Sequence, residues 1–237
     1  DCTVQPHFDY PHAYLADLPS KLTATGVGRG YRADEAAEQT PPPRKEVQLR
    51  APLFEQGEKK LTPAEIGTAH HLFMQFCDFD AACAPNGVEN ELNRLAEKKI
   101  LSTEQAHAVD KRKIERFFAS DLYKTFMAEN KVRREFKFSV LVPAQAYFPV
   151  AADVPEENVL LQGVIDCLIE TRDGFVILDF KTDRIKKGGA VERAEQYRPQ
   201  LAAYARAVHE IYGRPVRACV LYFFHTGDTE WVSLDED

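Results

Sequence analysis

Three charged residues interrupt two otherwise apolar segments in GVIDCLIETRDGFVILDFKTDR, residues 163–184. Asp166 lies in the first segment, and Asp179 and Lys181 lie in the second. Both segments are typical of strands that enter a core, where an unpaired charge is very costly. Two carboxylates and an ammonium group could instead bind a divalent cation and stabilise negative charge, which is the chemistry that phosphodiester hydrolysis needs.

The turn signal TRDG predicts that these two segments form a β-hairpin. The second acid and the lysine are two residues apart, so they share one face of their strand. If Glu170 pairs with Phe175, the two acids lie opposite each other. If Asp173 and Gly174 form the turn, the first acid lies opposite the lysine. All three charges share a face in either register.

Two interpretations of the three charges stay open. Facing carboxylates repel each other, so a divalent metal between them would account for the pair, with the lysine orienting water or stabilising developing charge. Alternatively, the residues form a cross-strand ion-pair network at a solvated sheet edge. The spacing of the residues does not separate these interpretations.

The surrounding elements must position these residues. Thr62, Pro63 and Glu65 form a capping-box signature at a helix start. That helix should run through AEIGTAHHLFMQFCDF, and helical periodicity continues over about 88–130. Strands are predicted at 133–142, 159–170, 174–181, 216–224 and 229–234, with a helix over 191–212. This order predicts an α/β fold with a mixed central sheet flanked by helices.

Composition excludes several classes of protein. No apolar run reaches the length of a membrane helix. The five cysteines include no CxxC pair, which argues against a disulfide framework, a structural zinc site or an iron–sulfur cluster. Cys167 and Cys219 lie in apolar strand patterns and are interpreted as core residues. The net charge of −7 argues against general nucleic-acid binding. Residues 181–198 contain six basic and three acidic residues, which permits a local basic path for a polyanion, although solvated helix faces are the simpler interpretation.

Residues 1–60 show little periodicity and contain the Pro-rich segment QTPPPRKE. We interpret this region as an extended N-terminal arm or linker. Residues 61–237 are then the folded domain.

Three motifs together resemble those of the RecB-type nucleases of the PD-(D/E)XK superfamily. They are GVID, DFKTD and QLAAY, in this order and spacing, although each is weak alone. In particular, the chain resembles the C-terminal nuclease domain of the A subunit in the AddAB family of bacterial helicase–nucleases. The resemblance implies a restriction-endonuclease-like core.

The resemblance also implies roles for matched residues. Asp166 and Asp179 match the metal-binding acids, Lys181 matches the catalytic lysine, and His71 in GTAHH matches a helix-borne metal ligand. His70 is excluded as a second ligand of the same metal, because adjacent side chains on a helix point about 100° apart. Without the resemblance, a lone histidine in this helix is more simply a packed or surface residue.

Other matched residues have supporting roles. Gln200 and Tyr204 lie on one helical face and are expected to hold the lysine strand or a DNA phosphate, unless Tyr204 simply packs against the sheet. Glu135 in RREFKF matches a supporting or metal-proximal position, although an edge-strand glutamate is the simpler interpretation. DNA phosphates are expected to contact three basic residues: Lys186, Lys187 and Arg198.

The function that the resemblance implies is that of a Mg²⁺-dependent deoxyribonuclease domain, with Mn²⁺ as an alternative and no iron–sulfur cluster. It would cut the strand ending 3′, within a cytoplasmic complex with the AddB subunit that processes double-strand breaks for recombination. The sequence has no GxxxxGK[ST] motif, so ATP binding would belong to an upstream helicase region of the parent protein. Two alternatives are a catalytically silent DNA-binding or docking module and a stand-alone single-strand exonuclease.

Overall fold

The computed structural model describes residues 18–27, 61–152 and 157–234 of the chain. Its strands are β1 (Lys21–Thr23), β2 (Lys131–Pro143), β3 (Asn158–Thr171), β4 (Gly174–Lys181), β5 (Val216–Phe223) and β6 (Thr229–Val232). Its α-helices are α1 (Pro63–Phe76), α2 (Phe79–Ala82), α3 (Gly87–Glu97), α4 (Thr103–Ala108), α5 (Lys111–Ala119), α6 (Ala190–Glu195) and α7 (Arg198–Tyr212). None of the helices within these ranges has the length and apolar character needed to cross a bilayer.

The sheet is organised around β3. One edge of β3 pairs antiparallel with β2 along residues 158–170. The other edge is shared, because β1 pairs parallel with residues 160–162 and β4 pairs antiparallel with residues 167–171. Residues 163–166 therefore have no strand partner on that edge among the described residues, and the sheet forks there. Since β5 pairs parallel with β4 and antiparallel with β6, the predicted mixed α/β sheet is confirmed.

The hairpin register decides which side chains meet at the fork. Glu170 pairs with Phe175 and Thr171 pairs with Gly174, so the two residues between them form the turn. This is the first of the two predicted registers, and the turn at 173–174 is wrong. The last pair of residues in the β3–β4 ladder is Cys167 with Leu178. Asp166 and Asp179 are the next residues on the two strands, directly at the fork.

Gly174 permits this register because a neighbouring backbone approaches it closely. Its φ is +148°, a conformation that L side chains rarely adopt, and a Cβ there would lie 2.3 Å from the Pro215 carbonyl oxygen. The same oxygen accepts the backbone N–H of Phe175 at 2.9 Å. Glycine is therefore needed where the loop before β5 crosses the start of β4.

The sheet separates two layers of helices. On one face, α1 to α5 pack around Phe117, whose ring centroid lies 5.2 Å from that of Phe180 and 4.9 Å from that of Tyr222. On the other face, α7 packs through Leu201, Tyr204 and other apolar residues. The predicted core cysteines, Cys167 and Cys219, are both buried free thiols.

The helix predicted over 191–212 is two helices, α6 and α7. The helical conformation is interrupted at Gln196 and Tyr197, and Pro199 lies in the first turn of α7. Proline lacks an N–H and crowds the carbonyl four residues earlier, so a helix begins well at proline but does not continue through it. The break places Tyr197 at the N-terminus of α7.

Strand β1 was not predicted and lies inside the region interpreted as an arm. Three residues are too few to show strand alternation, and their partner β3 lies more than a hundred residues further along the chain. The rest of the predicted arm, apart from residues 18–27, lies outside the described residues. The domain boundary at residue 60 stays a prediction.

Replacing Gly174 with alanine should destabilise the domain by about 2–3 kcal/mol, because the new Cβ meets the Pro215 carbonyl in an unfavourable backbone conformation. Gly213→Ala is the matched control. Gly213 also has a positive φ, +62°, but nothing lies within 4 Å of a Cβ built there, so it should cost only about 1 kcal/mol. Urea denaturation followed by circular dichroism measures both; equal losses would contradict the proposed close approach.

Candidate active site

The fork in the sheet opens into a cavity of about 580 Å³. Thr25 and Val27, directly after β1, lie on its wall. The cavity brings together six of the predicted site residues, namely His71, Asp166, Asp179, Lys181, Gln200 and Tyr204. The other four, Glu135, Lys186, Lys187 and Arg198, do not line it.

Asp166 lies where the pairing of β3 with β4 stops. Its Oδ2 accepts the backbone N–H of Phe180 at 2.7 Å, so the side chain replaces the next bond of the ladder. Its Oδ1 lies 3.4 Å from His71 Nδ1. The carboxylate is thus fixed by backbone on one side and by an imidazole on the other.

Asp179 and Lys181 form a buried ion pair beside Asp166. The distance from Lys181 Nζ to Asp179 Oδ2 is 2.6 Å, and the side chains are 13% and 6% exposed. The contact does not meet hydrogen-bond geometry, which leaves Asp179 Oδ2 buried without a hydrogen-bond partner. Burial, followed by the nearby Asp166 carboxylate, raises the pKa of Asp179 despite the attraction of Lys181. A solvated ion pair at a sheet edge does not describe this arrangement.

Lys181 has two further contacts on the side of α7. Its Nζ donates to Gln200 Oε1 at 3.4 Å and lies 3.8 Å from the centroid of the Tyr197 ring. Gln200 Nε2 donates in turn to the Tyr204 hydroxyl at 2.7 Å. Gln200 therefore contacts the lysine directly and Tyr204 contacts Gln200, while Tyr204 also packs in the core.

Helix α1 brings His71 to the fork from the opposite layer. The predicted capping box is present at Thr62, where the helix begins. At Gly67 a Cβ would lie only 2.8 Å from Thr182 Oγ1, so glycine permits α1 to lie close to the end of β4. One turn later His71 reaches Asp166. Burial opposes its charge, but the hydrogen bond and charge of Asp166 outweigh this, so the pKa of His71 is raised.

His70 points away from the acids and is a core residue. Its Nδ1 lies 2.9 Å from the Ile66 carbonyl, and its Nε2 accepts the backbone N–H of Asp110 at 3.3 Å. These contacts describe a neutral ring that carries its proton on Nδ1. Burial lowers the pKa of His70, in agreement with that assignment.

Glu135 lies near the acids without reaching the cavity. Its φ is +48°, an uncommon conformation for a residue other than glycine, and it falls at the one position where the pairing of β2 with β3 is interrupted. Burial raises the pKa of Glu135, and the charge of Asp166 raises it further. The Glu135 carboxyl group therefore interacts electrostatically with Asp166 from the β2 side of β3.

The three basic residues predicted to contact phosphates differ in their surroundings. Lys186 and Lys187 are exposed in the loop between β4 and α6. Arg198 instead pairs with Glu195 at 2.8 Å and donates to the Ser233 carbonyl. The structure therefore leaves the lysines accessible and engages the arginine outside the cavity.

Sequence analysis missed a second cluster on the cavity wall. The Tyr197 hydroxyl donates to Asp183 Oδ2, which also accepts from Arg193 Nε at 2.9 Å. Two signals were available in the sequence. Asp183 closes the DFKTD motif, and Tyr197 precedes Gln200 by one helical turn.

The donors around the cavity suit a hard divalent cation in their chemistry. Two carboxylates and an imidazole line one space, and Asp179 Oδ2 is a buried oxygen with no hydrogen-bond partner. Across the described ranges, however, no three His, Cys, Asp or Glu side chains form a ready-made set of ligands. Asp179 faces the Lys181 ammonium instead, so binding a cation requires it to exchange that contact.

A profile of the PD-(D/E)XK nuclease superfamily matches residues 44–233. The chain belongs to this superfamily. In Moorella thermoacetica, the A subunit of an ATP-dependent helicase/nuclease is 40% identical over 221 residues, which cover 92% of this chain and 15% of the relative. The protein of the same name from Desulforamulus reducens is 38% identical over 223 residues, covering 93% of this chain and 18% of the relative. This nuclease-family chain thus spans less than a fifth of these relatives.

Among solved structures, that of SSO0001 aligns with 77% of this chain and 71% of its own, at 12% identity and a TM-score of 0.34. This likeness is too weak to carry an argument. The membership in the nuclease superfamily rests on the profile match, and the roles of individual residues stay predictions.

The two adjacent histidines should respond differently to replacement by alanine. His70→Ala removes a buried ring with two hydrogen bonds and should cost about 2–4 kcal/mol of unfolding free energy. His71→Ala removes a ring that is 36% exposed and should change stability by less than about 1 kcal/mol. Urea denaturation without metal measures both, and a larger loss for His71→Ala would contradict the assignment.

Proposed function

We propose that this domain is a metal-dependent DNA nuclease that hydrolyses phosphodiester bonds. The observation that carries the proposal is the meeting of Asp166, Asp179, Lys181 and His71 in one cavity of a nuclease-superfamily chain. A buried ion pair between Asp179 and Lys181 is weak support for stability. Its position at an open fork suits a reaction that uses both charges.

In this proposal each residue has a defined task. A divalent cation, Mg²⁺ or Mn²⁺, would be held by His71, Asp166 and Asp179 and would supply Lewis-acid chemistry and a more acidic bound water. Lys181 donates an N–H to a phosphate oxygen and so stabilises the charge that develops there. Gln200 holds the ammonium group from the side of α7, and the Phe180 backbone holds Asp166. Burial strengthens the lysine's interaction because little water competes.

Lys186 and Lys187 would contact the DNA backbone without reading sequence. Both are exposed in the loop that joins the lysine strand β4 to α6. Arg198, although predicted with them, would act on DNA only after leaving Glu195 and Ser233. Glu135 is assigned a supporting role, because its carboxyl group interacts electrostatically with Asp166 and His71.

The relatives suggest a larger context. Both are named as A subunits of an ATP-dependent helicase/nuclease, and both are several times longer than this chain. We infer that the domain works in the cytoplasm beside a helicase region that uses ATP, with the connecting arm in the part of residues 1–60 outside β1, in a heterodimer with an AddB subunit. Cutting of the 3′-ended strand during double-strand break repair belongs to the same proposal.

Cleavage of end-labelled single- and double-stranded DNA tests the nuclease activity. With Mg²⁺ the wild-type chain should cleave, and Asp179→Asn should fall to the level of a chelated sample because it removes a charged metal donor while leaving an acceptor for Lys181. Lys181→Ala should lose roughly 10²- to 10³-fold in rate because it removes one charge-stabilising donor. Cleavage by Asp179→Asn at the wild-type rate would exclude the proposed site, and a silent wild-type chain would favour the docking module.

The double variant Lys186→Ala/Lys187→Ala tests the DNA contact. Each phosphate contact contributes about 0.7 to 0.9 to the slope of log K against log salt, so the slope should become shallower by about 1.5. The matched control is Lys98→Ala/Lys99→Ala, which removes two adjacent exposed lysines directly after α3, outside the loop between β4 and α6. Fluorescence anisotropy with labelled DNA measures both slopes; equal slopes for the two double variants would remove the loop from the interface.

A further inference from the structure

The Tyr197 ring forms a wall of the cavity directly beneath the Lys181 ammonium. Nζ lies 3.8 Å from the ring centroid, a short distance for a cation over an aromatic face. Lys181 is only 13% exposed, so water competes weakly for the ammonium group. The contact therefore has the geometry and the surroundings in which cation–π attraction is strong.

Asp183 fixes the ring in place. Its Oδ2 accepts the Tyr197 hydroxyl and also pairs with Arg193 Nε at 2.9 Å. Burial opposes the charge on Asp183, but the bonds from Tyr197 and Arg193 outweigh it and lower the pKa, so Asp183 is a carboxylate. Burial and then Asp183 raise the pKa of Tyr197 to about 12, so the phenol keeps its proton and donates it. Hydrogen bonding to a carboxylate also enriches the ring in electrons, which strengthens its attraction for Lys181.

The need for such a support follows from the pairing of Lys181 with Asp179. A cation bound at Asp179 Oδ2 would repel the ammonium group that lies 2.6 Å from the same oxygen. When the contact is exchanged, a lysine side chain with four rotatable bonds would gain freedom, and the donor would lose its position. Gln200 at 3.4 Å is a long hydrogen bond and holds the ammonium group less firmly.

We propose that Tyr197, locked by Asp183, is a positioning residue that keeps the Lys181 ammonium in the cavity once Asp179 is engaged by a metal ion. This inference rests on the proposed nuclease function and deepens it. Neither residue touches the reacting atoms. The break between α6 and α7 serves this role, because it places Tyr197 at the start of α7 with its ring over the end of β4.

Steady-state cleavage by matched variants tests the role. Tyr197→Leu removes the ring and should lower kcat about 10- to 100-fold, with KM changed less than about threefold, because a misplaced donor affects the transition state more than substrate binding. Tyr197→Phe keeps the ring, so its kcat should fall less than that of Tyr197→Leu. Asp183→Asn keeps the shape of the side chain but weakens its hydrogen bond with the Tyr197 hydroxyl. Its kcat should lie between those of Tyr197→Leu and Tyr197→Phe.

Tyr212→Leu is the control for a purely structural role. Tyr212 lies on the same helix, its ring contacts Arg133 at 5.4 Å, and its hydroxyl accepts from Arg133 at 2.6 Å, but it does not line the cavity. It should lower Tm without lowering kcat. If Tyr197→Leu keeps kcat within about twofold of wild type, or loses no more than Tyr212→Leu, the positioning role is overturned.

Nuclear magnetic resonance of ¹³C-labelled lysine side chains gives a readout that does not depend on cleavage. The ε-methylene protons of Lys181, assigned with Lys181→Arg, should be shifted upfield by the Tyr197 ring, both without metal and at saturating Mg²⁺. The shift should persist in Tyr197→Phe and vanish in Tyr197→Leu. A shift that disappears on adding Mg²⁺ to the wild-type chain overturns the proposal, since the ring then fails to retain the ammonium group.

The two proposals fail in different ways. Absence of metal-dependent cleavage in the wild-type chain overturns the nuclease function, and the positioning role of Tyr197, which depends on it, falls with it. If Tyr197→Leu retains cleavage although the upfield shift of the Lys181 ε-methylene protons is lost, only the positioning role of Tyr197 is overturned.

Discussion

Two largely buried carboxylates, 15% and 6% exposed, share one cavity, and the structure around them compensates their charge. Asp166 receives a backbone N–H and an imidazole, and Asp179 receives an ammonium group. These contacts do not fully offset burial, because the pKa of Asp179 stays raised. A fold that only needed stability would do as well with apolar side chains at these positions. The retained charge therefore supports the proposal that these residues take part in a reaction.

The fork in the sheet allows elements from both helical layers to reach one cavity. In an unbroken sheet, helices on opposite faces are separated by the strands and cannot contact one pair of side chains. Here β1 and β4 occupy different halves of one edge of β3, so the sheet opens between them. His71 arrives from α1 in one layer, and Gln200 arrives from α7 in the other. Gly67 supplies the close approach of α1 to the end of β4 that this convergence needs.

Local signals in the sequence predicted much of this arrangement. The capping box at Thr62, the apolar strands and a turn between them follow from neighbouring residues. The strands and the turn set the hairpin on which Asp166, Asp179 and Lys181 lie. Local spacing left two registers open because both put the charges on one face. In the observed register the carbonyl of Pro215, distant in the sequence, lies against Gly174.

The features that the sequence did not predict depend on long-range contacts. The strand β1 is only three residues long and is defined by its parallel pairing with β3. The contact of Tyr197 with Lys181 needs the helix break before Pro199, a signal that was present but was included within a single predicted helix. The convergence of His71 on Asp166 came from family resemblance alone, since a lone histidine in a helix has no pattern that indicates a ligand.

Isothermal titration with Mn²⁺, in the absence of DNA, tests most directly whether the acids at the fork form a metal site. The account predicts that the wild-type chain binds a divalent cation, that Asp166→Asn and Asp179→Asn each abolish this binding, and that the control Glu195→Gln, on the outer side of α6, leaves it unchanged. Binding of equal strength in all four proteins, or no binding in any of them, would contradict it.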